Sequence, residues 1–141
     1  MPGETGDLIE QGDIYWVDDD LISFPEERRS GRTTPHPRRP VVVLSGIYPN
    51  SLPSYPFVLV APLASERDPR RRWDPKCQPG QDNIRSEGWI RLSLLQPVLK
   101  EDLQEKCGKL GSQTLLRVLG QLAMLFGVIL DQAAATSEKK T

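Results

Sequence analysis

Residues 39–45 read Arg-Pro-Val-Val-Val-Leu-Ser, and this stretch decides the fold class. Its apolar run, Val41 to Leu44, shows neither a helical nor an alternating period, and three of its residues are β-branched. Such a run predicts a strand covered on both faces. Pro40 suits the first strand position, where no ladder donor is needed, and Arg39 before it is biased to extended geometry.

Working outward, Gly12 to Val17 (GDIYWV) predicts a strand ended by Asp18, Asp19 and Asp20, with one of Tyr15 and Trp16 in the core and the other at the surface. Phe57 to Leu63 (FVLVAPL) predicts another, with Pro62 marking an edge, a bulge or its end. Trp89 to Leu95 alternates, placing Ile90, Leu92 and Leu94 on one face, and Val98 and Leu99 continue the pairing. The connections are rich in turn formers. Residues 21–38 form a long loop with Pro25, Gly31, Pro35 and Pro37, residues 48–56 are turns, and residues 65–87 are irregular and hold the basic run Arg67 to Arg72. The period then changes. Lys100 to Lys106 predicts a short helix stopped by Gly108, and Ser112 an N-cap for a second helix. The second helix carries Leu115, Val118, Leu119, Leu122, Leu125, Phe126 and Ile129 at helical spacing. Residues 1–10 and 131–141 are a polar lead-in and tail around one domain, 11–130. Strands followed by helices predict a mainly β, α+β domain: a small, bent sheet or barrel capped by a C-terminal helix.

Composition narrows the function. The 141 residues carry 18 Lys+Arg and 19 Asp+Glu, a net charge of -1, which argues against a polycation wrapped on nucleic acid but allows a local basic patch. The first ten residues lack the apolar stretch of a signal peptide, and the longest apolar run, Leu122 to Leu130, falls far short of the ~20 residues that span a bilayer. A cytoplasmic protein without a membrane segment is expected. Cys77 and Cys107 form no CxxC pair, so two structural or incidental thiols in a reducing compartment are expected.

Three segments resemble the MazF/PemK toxins, endoribonucleases of type II toxin–antitoxin systems: Gly12 to Asp18, Arg39 to Ser45, and Val58 to Ser65 (VLVAPLAS). The resemblance covers roughly residues 11–128 and implies a small SH3-like barrel of the MazF/CcdB toxin type, commonly a homodimer. It implies a growth inhibitor that cuts single-stranded RNA as an mRNA interferase without metal or cofactor and is neutralised by a cognate antitoxin protein. It also implies catalysis by Arg39 together with a hydroxyl in the third segment. The family's threonine there falls on Ala64, whose methyl group neither donates nor accepts a hydrogen bond. Ser65 is the neighbouring hydroxyl, but a one-residue shift in a strand reverses its face. The loop 21–38 is longer than is usual in the family.

Metal-free RNA cleavage needs a base for the 2′-hydroxyl proton, an acid for the 5′-oxygen and cations for the crowded phosphate. Arg39 suits the last role, because guanidinium is a permanently charged planar fork. His36, the sole histidine, titrates near neutrality and is a candidate proton carrier; the plainer alternative is an exposed loop histidine. Ser65 is the candidate assisting hydroxyl, or a strand-end group satisfying backbone. Arg38, Arg67, Arg71 and Trp73 are candidate RNA contacts, cations beside a stacking ring, or else part of a solvated loop. The rival class is a catalytically degenerate binding protein, or a CcdB-like poison of a protein target such as gyrase, which Ala64 favours.

Overall fold

The computed structural model describes residues 8–26 and 37–128. Its centre is the valine run. Strand β2 (Arg38–Val43) lies between β1 (Asp13–Asp18) and β3 (Phe57–Ser65), antiparallel to both. Ile14 pairs with Val42 and Trp16 with Pro40 on one side, Val41 with Pro62 and Val43 with Val60 on the other. Val41, Val42 and Val43 are all buried, as a strand covered on both faces requires.

The nine-residue β3 serves two partners along its other edge. Its first half pairs with β6 (Gln96–Leu99) and its end with β5 (Gly88–Ile90). β4 (Lys76–Cys77) extends β5, and β7 (Lys106–Lys109) extends β1. The path β4-β5-β3-β2-β1-β7 curls until Asn83, just after β4, bridges Lys109 of β7. The result is a mostly β, half-closed barrel with a C-terminal helix.

Alternation along the strands creates two cores. Tyr15, Val17, Val41, Val43, Val58 and Val60 face one, with Ile22, Val98 and Leu103. Ile14, Val42, Leu44 and Ala61 face the other, which is closed by helix α2 (Ser112–Leu125) through Leu115, Val118, Leu122 and Leu125. Tyr15 is thus the core aromatic of its pair, and Trp16 is half-buried on the opposite face.

Several local expectations are corrected. Lys100 to Lys106 is not a helix: a 3-10 turn over Lys100–Asp102 leads into β7. Trp16 donates its N–H to the Glu105 carbonyl and accepts from Gln104 N–H, so β1 claims the backbone a helix would use. Gly108 stops nothing; it lies within β7, where an added Cβ would sit 2.4 Å from the Asn83 carbonyl oxygen. Ser112 is the first helical residue rather than the cap, which is Gly111, whose N–H is held by Asp82 Oδ1 at 2.8 Å. The strand expected to run to Leu95 stops at Ile90 and gives way to a 3-10 turn, Leu92–Leu94. Residues 48–56 include most of a short helix, α1 (Ile47–Ser51), and the irregular segment holds β4. Phe126 is exposed rather than part of the helix's buried stripe, and Ile129 lies outside the described residues. Among the described residues, no helix is long and apolar enough to cross a membrane.

Candidate active site

Successive side chains of β2 point to opposite faces, so its first two arginines part company. Arg39 shares the face of Val41 and Val43. Its side chain is 16% exposed, and Nε donates to Asp19 Oδ1 at 2.7 Å. Asp19 is itself nearly buried and arrives from the 3-10 turn that ends β1. The guanidinium also lies 4.3 Å from the Phe24 ring centre, a cation–π stack. A carboxylate at one edge and a ring against one face restrict the rotamers of a long, flexible side chain, so it is oriented before any ligand arrives.

The start of the long loop is tied down around this arginine. Ile22 is in the core, the Gln96 side-chain amide exchanges two hydrogen bonds with the Ser23 backbone, and Glu26 pairs with Arg71. The Arg71 hydrogen bond holds the Glu26 carboxyl below its ordinary range; burial opposes this, and the charges of Arg71 and Arg91 add to the lowering. Arg91 is buried, and Nη1 donates to Asp74 Oδ2 at 2.5 Å and to the Pro69 carbonyl at 3.0 Å. That pair pins the basic segment to the sheet.

On β3, Val58 and Val60 face the Arg39 side, so alternation brings Ala64 to it as well. Extending the register in which Val41 opposes Pro62 sets Ala64 across from Arg39. No hydroxyl stands at that position. Ser65 is exposed, and its Oγ accepts from Arg67 N–H at 3.2 Å, a local turn contact; alternation turns it away from Arg39. His36 lies outside the described residues. Arg67 and Trp73 are in the same segment as Arg71, and Arg72 lies 5.7 Å from the Trp73 ring centre. Trp89 of β5, the pairing partner of Ala64, is flanked by Arg70 at 5.9 Å and Lys76 at 5.6 Å.

Arg38 emerges on the other face. Its guanidinium lies 4.9 Å from the Trp16 ring centre, with Gln104 and Glu105 at 3.5 and 4.0 Å. This side of β2 opens into a groove of about 800 Å³ floored by Ile14, Pro40 and Leu63. The structure therefore brings Arg39 and Arg71 towards the tied-down loop and puts Arg38 across the sheet from them. The sequence reading missed Asp19, Phe24, Glu26 and Arg91. Arg39's flanking position pointed to the arginine but carried no signal for partners 20 and 15 residues away. Among the described residues, no group of three His, Cys, Asp or Glu side chains is placed to hold a metal ion.

The family model described as PemK-like, MazF-like toxin of type II toxin–antitoxin system matches residues 10–126, and the chain belongs to that family. Solved structures share the fold at low identity. An endoribonuclease in complex with its cognate antitoxin, from a mycobacterial species, superposes with a TM-score of 0.63 at 15% identity, covering 86% of this chain and 96% of that one. MazF from Deinococcus radiodurans gives 0.62 at 19%, with 85% and 97% covered. The Mycobacterium tuberculosis toxin MazF-mt6 gives 0.61 at 14%, with 83% and 98% covered. No curated protein sequence matches the chain.

Proposed function

We propose that this toxin cleaves single-stranded RNA in the cytoplasm and is held in check by a cognate antitoxin protein. The observation that carries the reading is Arg39: a nearly buried guanidinium, oriented by Asp19 and Phe24, within the stretch that matches the toxin family. In the proposed reaction the 2′-oxygen attacks the adjacent phosphorus, the 2′-O–P bond forms and the P–O5′ bond breaks. The products are a 2′,3′-cyclic phosphate and a 5′-hydroxyl, and no metal takes part. Arg39 offers N–H donors to the negative charge that grows on the phosphorane, the kind of electrostatic stabilisation worth about 3 kcal/mol. His36 is the proposed carrier of the proton between the 2′- and 5′-oxygens. Ser65 would assist only after a rotation of the β3 end, so the principal burden falls on Arg39. Arg67, Arg71 and Trp73 are the proposed contacts for the flanking strand, with Arg71 exchanging Glu26 for a phosphate. A homodimer is the proposed assembly.

The test is to incubate purified wild-type protein and Arg39→Ala with a mixed-sequence RNA in EDTA and map the ends. Discrete cuts with 5′-hydroxyl ends, lost in the variant, are the expected result. Intact RNA from folded, antitoxin-free protein contradicts the proposal and favours a protein target.

A further inference from the structure

The groove on the Arg38 side is separate from the Arg39 site, because the two side chains leave opposite faces of one strand. Its chemistry is that of a nucleotide site. The floor is apolar, the volume of about 800 Å³ falls within the range of ligand-binding clefts, and Trp16 stands in its wall. Among the described residues, three cations, Arg38, Arg85 and Lys106, line it with one carboxylate, Glu105. Lys106 is engaged by the buried Asp13 at 3.0 Å. Arg38 is only loosely held: its carboxylate contact is 4.0 Å long, between side chains 42% and 81% exposed. Such surface pairs are worth little and exchange readily. Arg85 is exposed and has no carboxylate within ion-pair distance among the described residues. Asn83 and Ser86 add an amide and a hydroxyl, able to read base edges.

We propose that this groove is a second binding site, for one or more nucleotides of the RNA strand that flank the cleaved bond; the proposal rests on the ribonuclease reading above. Arg38 and Arg85 would take phosphates, and a base would lie against Trp16, the pairing of cation and aromatic face by which single strands are held. An extended peptide is the poorer occupant. The strand that borders the groove, β7, has one edge paired with β1 and the other bridged by Asn83, whose N–H and carbonyl both bond Lys109. A guest strand therefore finds no long free ladder there. Because Arg38 and Arg39 are consecutive, an RNA that reaches both passes around β2, so the groove would extend the stretch of RNA that the toxin selects.

The test uses 2′-O-methyl oligonucleotides of mixed sequence, which have no free 2′-hydroxyl to attack, at two lengths of about 12 and about 4 nucleotides. Binding to intact protein is followed by anisotropy across a salt series, and cleavage of mixed-sequence RNA is measured alongside. Arg85→Ala should weaken the long probe about tenfold and reduce its salt slope by about 1, while the short probe changes less than twofold. Lys100→Ala removes the same charge beside the first residues of β3, away from the groove, and should change neither. An unchanged long probe in Arg85→Ala, or an equal loss in Lys100→Ala, overturns the site. So does displacement of the long probe from the groove by an acidic amphipathic peptide that depends on Arg85 when the oligonucleotide does not. Wild-type protein that cuts RNA but binds both probes equally overturns the groove alone. Protein that neither cuts nor binds RNA overturns the ribonuclease reading, and the groove with it.

Discussion

Replacing Asp19 by alanine removes one carboxylate from Arg39 while leaving the guanidinium in its near-buried place. The two groups are 2.7 Å apart, with side chains 16% and 5% exposed. At an effective dielectric of about 20, their gross attraction is roughly 6 kcal/mol. Most of that offsets the cost of removing both charges from water, so the pair itself adds little. Removing one partner is different, because the other keeps its desolvation cost and loses this attraction, at a cost of about 3–5 kcal/mol. Arg39 keeps some water access and its Phe24 stack, which places the expected loss at the low end, about 3 kcal/mol. For a domain of this size that is a fall of roughly 10 °C in Tm. The double variant Asp19→Ala/Arg39→Met should recover a good part of it, because the near-buried cation is removed together with its counter-ion. The assay is urea unfolding followed by tryptophan fluorescence, with the two single variants and the double closing a thermodynamic cycle. A loss below about 1 kcal/mol for Asp19→Ala, or a double variant no more stable than Asp19→Ala, would mean that Asp19 does not compensate a near-buried Arg39 charge.

Other consequences can be measured independently. Gly108→Ala forces a methyl group to within 2.4 Å of the Asn83 carbonyl oxygen and should cost about 1–3 kcal/mol by parting β7 from the 83–84 segment, read by the same unfolding assay. Burial, reinforced by the Asp82 charge, pushes the Cys77 thiol up to about 11, and burial raises Cys107 less severely. Iodoacetamide at pH 8 should therefore label Cys107 well before Cys77, and peptide mapping that finds the reverse order would contradict the packing around β4. Arg71 depresses the Glu26 carboxyl, so this contact contributes above the unfolded value near 4.5 and is lost as pH falls through the lower folded value. An NMR titration should find the Glu26 midpoint below 4.5, moving back towards it in Arg71→Ala.

How far the fold could be read depended on where its instructions lie. β1, β2 and β3 were legible because buried strands impose aromatic and β-branched runs on their own residues. β7 was not: Lys-Cys-Gly-Lys has no strand pattern, and it becomes a strand because β1 presents an unpaired edge to it. The helix expected at 100–106 is absent because Leu103 fills the first core from the end of a turn. The site divides the same way. The arginine beside the valine run was visible, but the three consecutive aspartates read only as a strand end. One of them, Asp19, reaches the core face because the turn folds it back under Pro37, where its N–H bonds the Pro37 carbonyl. Arg91 looked like the polar side of an alternating strand, and its burial depends on Asp74 and on the Pro69 carbonyl, both in a segment without regular pattern.

If an oriented Arg39 guanidinium drives the proposed RNA cleavage, single-turnover cleavage by Arg39→Ala will show it. Wild-type and variant protein, shown by unfolding to be native, would be mixed in excess over a defined RNA in EDTA. The expected rate for the variant is lower by about 10²–10³, with 5′-hydroxyl ends from the wild type. A variant that cuts at the wild-type rate would remove Arg39 from the mechanism.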